Sequence, residues 1–327
     1  MTAQEYLQAK LKNLNKPVVI EKPADDQLVD TIFKLVMSKK FRKYSANPEL
    51  TEHIKNAIAI NVKENKPINF TFLHGAYKLW RLKESPEVDW AELFTLMYYI
   101  NWLKPICEIY KPGVWFDFFV DDFIVPKINT ATKEEIDAYI KSYQALMDFL
   151  KKYQPDNFKM TITPVGSQFG SVDEFNSKLE ADVEKHAATL PGGLPELSKE
   201  RLAMIAFNTK PTPEQTKDHK WCGKNSLLHD AYIARTKKET GYHFRPDKIL
   251  VFSQPLPSGT VIAVGTTKDS VMKFWVGAGV LKPKDGEYRQ IIMSPGQLEK
   301  ASFNWENVGI GFSGKNFNKI RVLKEKT

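Results

Sequence analysis

Two carboxylates, Asp121 and Asp122, stand directly after an apolar, aromatic-rich run over residues 114–120, and Pro112-Gly113 stands directly before it. A run this short and aromatic reads as an interior strand, and the Pro-Gly pair stops a helix that carries Ile106, Ile109 and Tyr110. Acids at the C-terminal end of such a strand lie where open α/β sheets bind ligands, and there they suit proton transfer. The same pair also suits an ordinary loop of solvated acids or a helix cap.

A second strand end follows the alternating run 68–73, where His74-Gly75-Ala76-Tyr77-Lys78 supplies a titratable imidazole and a cation. A third candidate is Gly265-Thr266-Thr267-Lys268-Asp269-Ser270, whose small residues, hydroxyls and lysine can present N–H groups and positive charge to a phosphate or carboxylate. An ordinary hairpin uses the same residue types. Lys78, Arg245 and Lys273 are further cations for such an anion pocket, and Thr267 and Lys268 are its central residues.

Other chemistries find no pattern. The chain has no P-loop, no Gly-x-Gly-x-x-Gly after a strand, no Gly-x-Ser-x-Gly elbow and no His-Glu-x-x-His pair. Val276-Gly277-Ala278-Gly279 reads as strand-turn glycine, because no helix pattern follows it. The histidines at 53, 74, 186, 219, 229 and 243 lack metal-ligand spacing, so no metal site is expected; His74 and His243 are the two whose neighbours give them most to do. Cys107 sits in an apolar helix, and Cys222 has no identified base, so both read as structural.

The elements that must position these groups follow from periodicity. Residues 26–38 and 48–63 carry apolar side chains at helical spacing, so two helices open the protein. Asp89 with Glu92 starts a long helix that runs to the Pro-Gly stop, and Thr132 with Glu135 starts another through residue 153. With strands at 68–73, 114–120 and 158–164, the alternation predicts an α/β fold: a Rossmann-like, mainly parallel sheet flanked by helices. Residues 171–242 read as a charged helical insertion. From residue 248 short extended runs at 249–253, 261–264, 273–276, 288–293 and 320–323 make the last third β-rich, either as an added antiparallel unit or as an extension of the first sheet. The expected organisation is N-terminal helices over 1–65 packed on a 66–327 catalytic core, with a single domain overall as the alternative.

With 327 residues, 42% hydrophobic and 26% charged, the composition is that of a globular protein, and no segment approaches the ~20 apolar residues of a membrane span. The start of the chain has no secretory pattern, and two cysteines fit a reducing compartment, so a cytoplasmic setting is expected. The net charge of +8 admits a polyanionic partner, yet the lysines are spread along the chain and no nucleic-acid motif accompanies them. A phosphorylated small molecule fits better; oligomeric state is left open.

The order of a strand ending in a lysine-bearing loop, a helix, Ile109-Tyr110-Lys111-Pro112-Gly113-Val114, and a strand closed by Asp121-Asp122 resembles the isocyanide synthase family of pyoverdine and dityrosine biosynthesis. Ile136-Asp137-Ala138-Tyr139 takes the place of that family's following helix with its tyrosine. Residues 248–255, including Ser253 and Gln254, resemble the strand that the family closes with Ser-x-His-Pro. The likeness spans roughly residues 66–155 and departs at several points: only Lys78 represents the Lys-Ser-Pro-Asn loop, Asp122 replaces a glycine, Gln254 replaces the histidine, and the Pro-Trp-His-Asn element is at most Phe274-Trp275. The resemblance implies conversion of the amino group of tyrosine or tryptophan to an isonitrile, with a pentulose phosphate as carbon donor and without a nicotinamide or metal cofactor. It makes Lys78, His74, Asp121 and Asp122 the catalytic candidates. Arg245, Ser253, Gln254, Thr267, Lys268 and Lys273 become the substrate and phosphate candidates. The alternatives are a transferase using another phosphorylated or nucleotide-linked donor, and a non-catalytic small-molecule or nucleic-acid binding protein.

Overall fold

A computed structural model describes residues 1–75, 78, 86–128, 131–168, 171–209, 211–240, 245–256 and 258–324. His243, Ala76 and Tyr77 lie outside the described residues. In chain order the longer helices and strands are α1 (Ala3–Lys12), α2 (Leu28–Val36), α3 (Pro48–Lys63), β1 (Ile68–Gly75), α4 (Trp90–Ile109), β2 (Val114–Asp121), α5 (Val125–Ile128), α6 (Lys133–Leu150) and β3 (Phe158–Pro164). They continue as α7 (Val172–Ala187), α8 (Lys199–Thr209), α9 (Pro213–Lys217), α10 (His219–Thr240), β4 (Lys248–Phe252), β5 (Ile262–Ala263), β6 (Ala278–Lys284), β7 (Glu287–Met293), α11 (Pro295–Glu299), β8 (Phe303–Asn307) and β9 (Lys319–Leu323).

The expected parallel sheet is present: five strands in the order β3-β2-β1-β4-β5, each pair parallel. A second sheet, β7-β6-β9-β8, is mixed, with β6 and β9 parallel and its other pairs antiparallel. Both readings of the β-rich end are therefore realised in part, since β4 and β5 extend the first sheet while β6 to β9 form the added unit. No described helix is long and apolar enough to cross a membrane.

Two expectations change. A third helix, α1, opens the chain; Thr2 and Glu5 form its capping box, and it buries Ala3, Tyr6, Leu7 and Leu11 beneath a mostly polar sequence. Residues 273–276 form a turn rather than a strand, because the N–H groups of Val276 and Gly277 both donate to the Lys273 carbonyl. Strand β6 then begins at Ala278, inside the glycine segment. A Cβ at Gly279 would collide with the backbone of Trp90, so glycine is what lets β6 lie directly against the first turn of α4.

Helix α4 is buried almost all round, from Trp90 to Ile106, because it lies between the two sheets and packs on β2, β6 and β7. At its far end Gly113 adopts φ 71°, a left-handed backbone that favours glycine, and turns the chain into β2. Alternation along the paired strands gives the parallel sheet two unlike faces. Phe70, Phe72, Phe116 and Phe118 point to the α4 side, where Phe72 lies 5.6 Å from Tyr99 and Phe118 lies 5.2 Å from Tyr143. Asn69, Thr71, Trp115 and Asp117 occupy the opposite face. Towards the C-terminal strand ends that second face becomes apolar, and Phe119 joins Phe175, Leu179 and Tyr232 of the helical insertion.

Candidate functional site

The pairing of Gly75 with Asp121 places the ends of β1 and β2 at one edge of the sheet. His74 and Ser253 each lie two residues beyond the paired Phe72 and Val251, so β4 delivers Ser253 to the same edge. Ser253 is fully buried and its Oγ has no hydrogen-bond partner; Gln254, the next residue, is exposed.

Lys78 does not present an open cation. Its Nζ lies 2.8 Å from Glu92 Oε1 and 3.3 Å from Asp89 Oδ1, and it donates to the carbonyls of Phe274 at 2.6 Å and Gly277 at 3.0 Å. Asp89 caps α4 and Glu92 completes the capping box by accepting from the Asp89 N–H, so this lysine ties the start of α4 to the turn before β6. Tyr139 Oη donates to the same Glu92 Oε1 at 3.0 Å. Burial pushes the proton affinity of the Glu92 carboxyl up, and the Lys78 ammonium pulls it back down. In the sequence Glu92 is legible only as part of a helix start and Tyr139 only as a helix residue and as the tyrosine of the resemblance, because Glu92 and Tyr139 stand 47 positions apart and no local pattern joins them to Lys78.

His74 is 1% exposed, and burial lowers its pKa to about 3, so the ring is neutral near neutral pH. Its Nδ1 lies 2.5 Å from the Gly75 carbonyl, an acceptor, which assigns the proton to Nδ1 and leaves a lone pair on Nε2. Nε2 is buried without a hydrogen-bond partner, as are the hydroxyls of Tyr143 and Tyr99. The rings of Phe274, Trp275 and Tyr143 stand 5.2, 5.3 and 5.5 Å from the imidazole. Such a group can take a proton from a substrate that displaces part of its aromatic packing.

Asp121, the last residue of β2, accepts a 2.7 Å hydrogen bond from Tyr232 of α10. Lys273 is close enough that the Asp121 charge raises its proton affinity, although burial lowers it more. The Lys273 ammonium also lies 5.7 Å from the Phe252 ring centre and 5.9 Å from that of Trp275. Asp122 accepts from the Gly166 N–H at 2.8 Å, and burial raises its pKa. An acid, a second acid, a half-buried lysine and a neutral imidazole thus gather at the C-terminal edge. Nothing in the charged run around Tyr232 marks it as the side chain that bonds Asp121.

The remaining candidates stand elsewhere. The segment around Thr267 is a tight bridge, Thr267 to Ser270, with Thr267 2% exposed; Lys268 is exposed and its carbonyl accepts from Lys43 Nζ at 2.6 Å. It lines a groove of about 820 Å³ with Lys40, Tyr98 and Arg289, and Lys78 is not among the groove's lining residues. Arg245, 4.0 Å from Asp247, lies before β4 and lines a smaller pocket on the Thr71 face. Among the described residues no group of three or more His, Cys, Asp or Glu side chains is placed to hold a metal ion.

A five-stranded parallel sheet flanked by helices, with its ionisable groups at the C-terminal strand ends, is an α/β fold of the kind that binds ligands at that edge. Among solved structures, the PvcA protein from Pseudomonas aeruginosa is similar, with a TM-score of 0.64 over 91% of this chain and 100% of that chain at 14% identity. At that identity the likeness is one of fold. No family model and no curated protein matches the chain.

Proposed function

We propose that this chain is an isocyanide-synthase-like enzyme, which converts the amino group of tyrosine or tryptophan to an isonitrile with a pentulose phosphate as carbon donor. The observation that carries the reading is the gathering of Asp121, Tyr232, Lys273, Asp122 and His74 at one strand edge. It is supported by the fold likeness to PvcA and by the resemblance over residues 109–122. The chemistry needs an imine to form between the amino group and the sugar carbonyl, protons to move, and carbon–carbon bonds to break. Asp121, oriented by Tyr232, and the bare Nε2 of His74 suit proton transfer. Lys273, held beside Asp121, suits the negative charge of the phosphate.

The test is incubation of the purified chain with tyrosine or tryptophan and ribulose 5-phosphate, with product read by mass spectrometry and by the isonitrile infrared stretch. The expected result is a product that requires both substrates. Absence of product with either amino acid overturns the proposal.

A further inference from the structure

A parallel sheet ordinarily buries near-continuous apolar residues on both faces, and the face of β1, β2 and β4 turned away from α4 breaks that rule. Asn69, Thr71 and Asp117 are 6%, 5% and 4% exposed there. Asp117 sits within the aromatic strand β2, and its Oδ1 accepts from the hydroxyls of Thr161 at 2.6 Å and Thr163 at 2.7 Å. Two further atoms have no partner at all: Thr71 Oγ1 and Asn69 Oδ1 are buried without a hydrogen bond. Native proteins seldom leave such atoms unpaired unless something else pairs them.

A pocket of about 170 Å³ opens at this point, lined by Thr71, Trp115, Asp117, Thr163, Arg245 and Lys248 among others. Burial lowers the Lys248 pKa, Arg245 adds to that, and the Asp117 charge opposes both, so cations and acid feel one another across the cavity. The volume holds about five waters at ~30 Å³ each, which limits an occupant to a few non-hydrogen atoms.

We propose that this pocket binds a small carboxylate with a hydrogen-bond donor next to its acid group, a hydroxy acid or an amino acid of a few carbons. The acid group meets Arg245 and Lys248. A neighbouring hydroxyl donates to Asp117 and accepts from Thr71 Oγ1, whereas an ammonium donates to both; either satisfies the stranded hydroxyl. A phosphate fits less well, because its second charge faces the Asp117 carboxylate. The site is separate from the strand-end group: Asp117 precedes Asp121 by four residues on β2, about half the strand, or ~13 Å at 3.3 Å per residue.

Calorimetric titration of the whole chain with glycolate, glycine, acetate and inorganic phosphate tests the assignment. Glycolate or glycine should bind at least ~10-fold more tightly than acetate, the usual consequence of one added charge-assisted hydrogen bond. Which of the two binds identifies the donor as hydroxyl or ammonium. Thr71→Val, which keeps shape and removes only the unpaired hydroxyl, should weaken that ligand roughly tenfold while leaving the melting temperature unchanged or higher. Lys248→Met, a change at a half-buried position, should weaken acetate and the donor-bearing ligand alike. Equal affinity for acetate and both donor-bearing acids, preference for phosphate, or wild-type affinity in both variants overturns the proposal.

Discussion

The start of α4 and the polar face of the sheet both bury charged groups, and they do so in opposite states of completion. At the start of α4 the Lys78 ammonium is surrounded by two carboxylates and two carbonyls, and Glu92 also takes the Tyr139 hydroxyl. Around Thr71 on that polar face, by contrast, buried oxygen atoms have no partner, and on the aromatic face the strand-end His74 Nε2 has none either. A completed cluster has nothing left to offer a ligand and holds the fold together, whereas an incomplete one retains the hydrogen-bonding capacity that a ligand would use. The difference leaves Lys78 fully engaged in holding the start of α4 and moves attention to the groups whose hydrogen bonding is incomplete.

The largest effect expected from this contrast is at Lys78. Lys78→Met leaves Asp89 and Glu92 buried without their cation, and breaking a buried pair from one side typically costs ~3–5 kcal/mol. Denaturant unfolding checks it, and Lys78→Met with Glu92→Gln should recover part of the loss. A single variant as stable as the wild type would place Lys78 on the functional side after all.

The acid limb of stability should come next. His74 has a folded pKa of about 3 against an ordinary 6.5, so the unfolded chain binds the extra proton in that interval. Its contribution is complete above pH 6.5 and is lost as the pH falls towards 3, by a few kcal/mol at ~1.4 kcal/mol per unit. His74→Gln should flatten that limb in a series of melting curves. An unchanged limb would show that the imidazole is solvated.

Smaller still is the change expected at Thr71, where Val removes an unsatisfied hydroxyl and should leave stability unchanged or raise it by no more than ~1 kcal/mol. Lys268→Ala should be the quietest. The side chain is exposed and borders a groove that Lys78 does not line, so a surface change within ~0.5 kcal/mol is expected, with catalysis unaffected. Loss of activity in that variant would reinstate the turn around Thr267 as an anion site.

What could be read from the sequence follows the range over which each signal acts. Asp89-to-Glu92 and Thr132-to-Glu135 announced α4 and α6 because a capping box spans three residues, and the strands β1, β2 and β3 were legible as apolar runs. The placing of Asp121 and Asp122 at a strand end was legible for the same reason. Residues 273–276 were misread as extended because their aromatic, β-branched composition hides a turn whose Phe274 carbonyl bonds Lys78 from 196 positions away. Tyr232 reaches Asp121 across 111 positions, and no local pattern encodes that. Asp117 did carry a signal, an acid in the middle of an aromatic strand, whose meaning needed the opposite face of the sheet to be seen.

The claim that the strand edge around Asp121 performs the chemistry while Lys78 serves the fold is tested most directly by Asp121→Asn. Its product formation from tyrosine or tryptophan plus ribulose 5-phosphate should be measured beside its melting temperature and beside the wild type. The account predicts a wild type that makes isonitrile and a mutant that makes none while melting within about 2 °C of it, because the amide keeps the size of the acid and can still accept from Tyr232. A mutant that turns over as the wild type does would contradict it.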